Sequence, residues 1–192
     1  DGSPLTQADQ CSHEIIHHYL STHYSLPILS EESENVPYKE RKNWSQFWMV
    51  DPLDGTKEFI HKRREFTVNI ALIENQKPVL GVIYAPVFEE MYYAISGRGC
   101  FFQYKNNHLR ISTSPTLEFQ NKIITNPTNK HVKLILSRSH NDGFHLADYM
   151  QQDHYTIQSI AMGSSLKFCR VAEGNVDINI RMKPTMEWDT AA

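Results

Sequence analysis

The hexapeptide Asp51-Pro52-Leu53-Asp54-Gly55-Thr56 constrains this chain more than any other stretch. Proline fixes the backbone after the first carboxylate, and glycine frees it after the second. Two acids three residues apart across such a turn, with a hydroxyl next, aim oxygen atoms at a common point. Hard divalent cations such as Mg²⁺ take oxygen ligands in near-octahedral geometry. The apolar run Phe47-Trp48-Met49-Val50 reads as a buried strand ending at Asp51. The ligand site then lies at the carboxyl end of a strand, where open α/β sheets place ligands.

Periodicity organises the rest. Ile15, Ile16, Tyr19 and Leu20 recur at helical spacing over residues 8–23, and Pro27 closes that segment. Ile28 and Leu29 form a short strand leading to Glu31 and Glu32. Residues 33–45 are polar and read as an exposed loop, a candidate flap or a solvated connection. Strands are expected over 66–74, 79–84 and 90–95, with Pro78 and Gly97-Arg98-Gly99 as turns, which makes an antiparallel meander. After an irregular polar stretch at 105–130, the pattern changes to strand 132–136, helix 143–152, strand 155–160, helix 164–173 and strand 176–180. Ser164 or Ser165 is placed to cap the second helix and Gly174 to stop it. Strands alternating with helices indicate an α/β layer. A soft boundary falls between an α+β part, residues 1–105, and an α/β part, residues 106–192, which together form one functional unit.

Bulk properties exclude several classes. With 192 residues the chain can bury a sizeable core, and 40% apolar and 21% charged residues are ordinary globular values. A formal charge of −3 gives no basic footprint for nucleic acid. Cys11, Cys100 and Cys169 are odd in number and lack a C-x-x-C pair, so they read as reduced thiols in a cytoplasmic compartment. No apolar run reaches the length of a membrane span.

The hexapeptide resembles the D-P-x-D-G-T signature of the Mg²⁺-dependent, lithium-sensitive phosphatases of the inositol monophosphatase superfamily. Two further signatures follow the family order: Leu29-Ser30-Glu31-Glu32-Ser33, and Glu187-Trp188-Asp189-Thr190-Ala191-Ala192. Residues 1–9, 57–60, 65–73 and 163–169 resemble the CysQ-type 3'(2'),5'-bisphosphate nucleotidases in particular. The likeness spans nearly the whole chain and is weakest at 105–133. Judged by it, the sequence is expected to be cut short at both ends.

The resemblance implies an α/β (α+β) fold, a layered α-β-α-β-α sandwich of the inositol monophosphatase and fructose-1,6-bisphosphatase type. It implies two or three Mg²⁺ ions, with Li⁺ inhibitory. Glu31, Asp51 and the Leu53 carbonyl would hold one ion, and Asp51, Asp54 and Asp189 another. Glu31 and Glu32 compete for the first position. Asp9 and Thr56 would orient and deprotonate the attacking water; Asp9 also suits a helix N-terminus as a charge meeting the macrodipole. Gly55 and Thr56 would meet the phosphate through main-chain N–H groups at a helix start. Ser139, His140, Ser164, Lys167 and Arg181 would contact a nucleotide bisphosphate.

Read without the resemblance, Lys167 is a solvated helix charge and Arg181 a surface strand charge. The family carries tyrosine-proline before that arginine, whereas Asn179-Ile180 stand here. The expected activity is removal of the 3'-phosphate from adenosine 3',5'-bisphosphate. The alternatives are a broad-specificity inositol phosphatase or an inactive nucleotide-binding homologue. The small-molecule substrate is the expected partner, for a monomer or homodimer in the cytoplasm with room for peripheral association at the inner membrane.

Overall fold

Strand β3 (Thr67–Glu74) shows the period of two in full: Thr67, Asn69, Ala71 and Ile73 are buried and the residues between them half-buried. It is the third strand of a seven-stranded sheet. The computed structural model describes residues 5–33, 36–112, 131–139, 156–181 and 183–192. The strands of this sheet lie in sequence order, β1 (Ile28–Ser30), β2 (Gln46–Asp54), β3, β4 (Lys77–Ala85), β5 (Glu90–Ile95), β6 (Gly99–Tyr104) and β7 (Asn107–Ile111). Only β1 and β2 run parallel; the remainder is the expected antiparallel meander. A second sheet is parallel, in the order β10 (Ile178–Ile180), β8 (His131–Ser137), β9 (Thr156–Met162).

Alternation sends neighbouring side chains of β2 to opposite faces. Trp48 and Val50 pack with Leu20, Ile16, Ile70 and Leu72 beneath helix α1 (Gln7–His23). Met49 points the other way, to Leu29, Ala71, Ile73, Trp44 and Trp188. A third cluster of Ile83, Ala85, Tyr92, Leu166 and Cys169 joins the meander to helix α4 (Leu166–Ala172). Burying a side chain such as Leu166 contributes about 1.5–3 kcal/mol. A capping box starts α1: Thr6 Oγ1 accepts from Ala8 and Asp9 N–H, while Asp9 Oδ2 accepts from Thr6 N–H at 2.8 Å.

Four local expectations are corrected. Residues 33–45 contain a short helix α2 (Tyr38–Arg41) behind Pro37, because Trp44 anchors the segment to the Leu29 cluster and Arg41 pairs with Glu187. Residues 107–111 are not irregular but extend the meander as β7. The strand carrying the first signature does not stop at Asp51; it runs to Asp54. The helix expected over 164–173 begins only at Leu166, and Ser164 precedes it with φ 53°. The expected helix at 143–152 lies outside the described residues.

Candidate metal centre

Asp51 and Asp54 reach the same face of β2 because the strand is bulged between them. Asp51 pairs with Asn69 of β3 and Asp54 with Thr67, so three steps on β2 answer two on its neighbour. In an unbroken strand an odd spacing would send the second acid to the α1 face. The extra residue re-aims it. Leu53 N–H donates to Asp51 Oδ1 at 3.0 Å, an Asx-type turn that locks the bend. Ser12 of α1 donates its hydroxyl to the Pro52 carbonyl at 2.9 Å, pinning the helix to the bulge.

Asp189 arrives on the 3-10 turn Glu187–Asp189, which packs against β2 and β3. Carboxylate oxygens of Asp51, Asp54 and Asp189 lie within 4.8 Å of one another. Glu31 follows β1, its N–H bonded to the Val50 carbonyl at 3.1 Å. Burial raises the Glu31 pKa to about 7, opposed by Asp51 and assisted by Glu32, Asp189 and Asp54. Burial and then Asp189 raise Asp54 to about 6, against the pull of Lys167 and the Ser165 N–H. Asp51 is pushed well above the carboxylate range by burial, then by Asp54, Glu31 and Asp189. Its Oδ2 is buried without a hydrogen bond among the described residues. Carboxylates that raise one another's pKa values, one with an unpartnered buried oxygen, fit a divalent cation.

The acids line a cleft of about 150 Å³. It is lined by Glu31, Asp51, Leu53, Asp54, Gly55, Thr56, Ser139, Ser164, Lys167, Arg181 and Asp189 among the sequence candidates. Gly55 takes φ 93° as the N-cap of helix α3 (Thr56–Ile60), a left-handed geometry suited to glycine. A Cβ there would lie 3.2 Å from Ser164 Cβ. Asp9 stands behind the lining, 2% exposed, and Thr56 Oγ1 lies 3.3 Å from both Asp9 Oδ1 and the Leu53 carbonyl. The same Asp9 completes the α1 capping box through Oδ2, which leaves Oδ1 to Thr56. His140 lies outside the described residues.

Two cations sit differently from their sequence readings. Lys167 is buried at 2% exposure, which removes the solvated-charge reading; its Nζ donates to the Ser164 carbonyl. Burial lowers its pKa, with Asp54 opposing. Arg181, directly after β10, places Nη2 3.3 Å from Asp189 Oδ2 and 3.3 Å from the Pro184 carbonyl. Asn179 uses its amide to bond the Ile135 carbonyl at 3.0 Å, which ties β10 to β8.

Sequence reasoning missed Glu58, Ser165 and Arg138. Glu58 lines the cleft at 3% exposure and accepts from the Ser139 hydroxyl. In the sequence it is a first-turn helix acid, indistinguishable from a macrodipole charge. Arg138 clamps Glu65 through two bonds of 2.9 and 2.7 Å and also donates to the Ala161 carbonyl at 2.7 Å. Ser165 occupies the N-cap of α4 without a side-chain capping bond, so the capping expectation is corrected for it.

A family model described as the inositol monophosphatase family matches residues 1–192. A Salmonella typhimurium protein described as 3'(2'),5'-bisphosphate nucleotidase CysQ is 44% identical across all of this chain and 72% of its own length. The protein of the same description from Escherichia coli K12 is 43% identical with the same coverage. The crystal structure of CysQ from Bacteroides thetaiotaomicron superposes with a TM-score of 0.79 at 42% identity, over 100% of this chain and 72% of that one. A staphylococcal inositol monophosphatase shares the fold at TM-score 0.76 and 22% identity. The layered α+β architecture expected from the sequence is therefore the one observed.

Proposed function

The chain belongs to the inositol monophosphatase family, and we propose that it is a 3'(2'),5'-bisphosphate nucleotidase releasing the 3'-phosphate of adenosine 3',5'-bisphosphate to leave AMP. It is a phosphoric monoester hydrolase. The observation that carries this reading is the convergence of Asp51, Asp54 and Asp189 within 4.8 Å, in a cleft whose lining includes Lys167 and Arg181. Relatives of the nucleotidase description at 43–44% identity supply the substrate.

Phosphate monoesters hydrolyse so slowly that catalysis must supply on the order of 20 kcal/mol. We assign the acidic cluster to Mg²⁺, two or three ions, with Li⁺ competing for one position. Bound Mg²⁺ supplies a lowered water pKa and charge neutralisation on the phosphoryl oxygens. Glu31, Asp51, Asp54, Asp189 and the Leu53 carbonyl are the donors. Thr56 Oγ1 accepts a proton from the attacking water and donates its own to Asp9 Oδ1, a general-base relay. The main-chain N–H groups of Gly55 and Thr56 face the transferred phosphoryl at the start of α3. Ser139, Ser164, Lys167 and Arg181 receive the nucleoside and its second phosphate, Arg181 offering a fork that matches phosphate geometry.

In this reading residues 1–105 provide most of the metal donors, the water relay and the phosphoryl contacts, and residues 106–192 the nucleoside contacts and Asp189. Cys11, Cys100 and Cys169 are free thiols, which supports a reducing, cytoplasmic setting. No helix among the described residues is long and apolar enough to cross a membrane.

The test is phosphate release from adenosine 3',5'-bisphosphate beside inositol 1-phosphate and fructose 1,6-bisphosphate, in Mg²⁺. The nucleotide is expected to be turned over with the highest kcat/KM. Equal or faster turnover of inositol 1-phosphate would overturn the assignment.

A further inference from the structure

Ser165 bridges strand β3 and the acidic cluster. It is 1% exposed. Its main-chain N–H donates to Asp54 Oδ2. Its hydroxyl donates to Asn69 Oδ1 at 2.8 Å and accepts from the Thr67 hydroxyl at 2.8 Å. Thr67 and Asn69 are the β3 register partners of Asp54 and Asp51. One strand beneath both acids therefore anchors the serine that grips one of them.

Ser164, just before Ser165, and Lys167, two residues after it, line the cleft. Ser164 holds φ 53°, a conformation uncommon outside glycine, and persists in it because its surroundings determine it. Lys167 Nζ is bonded to the Ser164 carbonyl, and the Leu166 N–H lies 3.3 Å from Ser164 Oγ. Thr67, by contrast, does not line the cleft. Helix capping does not explain Ser165, whose hydroxyl is used up on β3.

We propose that Ser165 is a positioning residue that ties the metal ligand Asp54 to the substrate-facing pair Ser164 and Lys167, with Thr67 and Asn69 holding it from behind. The role rests on the metal assignment of Asp54 made above. Because a single residue places both ends, cation and nucleotide affinity depend on the same buried hydroxyl.

Thr67→Val removes that hydroxyl bond at constant shape and touches neither ligand. Calorimetric titration of the protein with Mg²⁺ alone, and with AMP in saturating Mg²⁺, reads the effect. Thr67→Val is expected to raise the Mg²⁺ dissociation constant about tenfold, within the range for outer-shell partners, and to raise that of AMP with it. Thr67→Ser, which keeps the hydroxyl, is expected to bind both close to wild type. Ser165→Ala removes the other partner of the same bond and gives the same readout if Thr67→Val does not fold. Wild-type affinities in both Thr67→Val and Ser165→Ala, with only a lower melting temperature, would overturn the proposal. A wild-type protein that binds no Mg²⁺ would instead overturn the metal assignment, and this role with it.

Discussion

Arg181 Nη2 lies 3.3 Å from Asp189 Oδ2, so the cation assigned to the second phosphate also holds the last of the proposed metal ligands. The Met186 N–H reaches the same oxygen at 3.3 Å. Among the described residues both contacts fall on Oδ2. Outer partners of this kind orient a ligand and tune its basicity.

Arg181→Ala is therefore expected to weaken Mg²⁺ as well as the nucleotide. Loss of an outer partner costs about 10–100-fold in metal affinity. Calorimetry on the protein without nucleotide separates the effects: an unchanged Mg²⁺ dissociation constant would confine Arg181 to the substrate.

Asp51→Asn should abolish tight Mg²⁺ binding and lower kcat/KM by more than the roughly 100-fold of an outer partner. In metal-free buffer the same variant should melt at or above the wild-type temperature, because it removes an acid whose charged form burial and the neighbouring carboxylates disfavour. A lower melting temperature in metal-free buffer would mean that Asp51 is a structural acid.

The raised carboxyl pKa values set a pH dependence. Glu31 at about 7 and Asp54 at about 6 bind protons more tightly in the folded chain than in the unfolded one. Between the unfolded carboxylate range near pH 4 and pH 7, the metal-free fold then holds more protons, so these groups make its stability fall as pH rises. Mg²⁺ needs the ionised forms, so the rise in melting temperature on adding Mg²⁺ should grow from pH 5 to pH 7.5. A Mg²⁺ effect that is flat across this window would contradict the arrangement.

Gly163 supports the cleft wall by lacking a side chain. A Cβ there would lie 2.5 Å from Glu58 Cγ and 2.9 Å from the Glu65 carbonyl oxygen. Gly163→Ala is expected to cost about 1–3 kcal/mol, as overpacking does, and to raise KM more than it lowers kcat, because Glu58 bonds Ser139. Urea unfolding checks the first and steady-state kinetics the second. Wild-type stability would show that the wall yields.

Arg138 ties the end of β8 to Glu65 and to β9. Arg138→Ala should destabilise by about 0.5–1 kcal/mol, the range for a solvent-exposed ion pair, read as a lower urea midpoint at unchanged slope. A midpoint within error of wild type would mean the clamp is screened by solvent.

Much of the fold was legible because its signals are local. The alternation in β3, the helical spacing of α1 and the proline and glycine turns of the meander each depend on neighbours within a few residues. The errors came where a distant contact decides. Residues 38–41 look like loop until Trp44 finds the Leu29 cluster, and Ser165 looks like a helix cap until β3 claims its hydroxyl. Lys167 carries no mark in sequence that separates a buried ammonium from a solvated one.

The sequence by itself determined the kind of chemistry: acids beside proline and glycine in the first signature, an acid at a helix N-terminus in Asp9, and a third acid near the far end. Tertiary structure decided the geometry. A bulge against Thr67 and Asn69 turned Asp54 to the same face as Asp51, and docking of the 3-10 turn on β2 and β3 brought Asp189 to them. Arg181 found Asp189 in the same way. The division is physical: backbone preferences act over a few residues, whereas the distance between positions 54, 165 and 189 exists only after the sheets have packed.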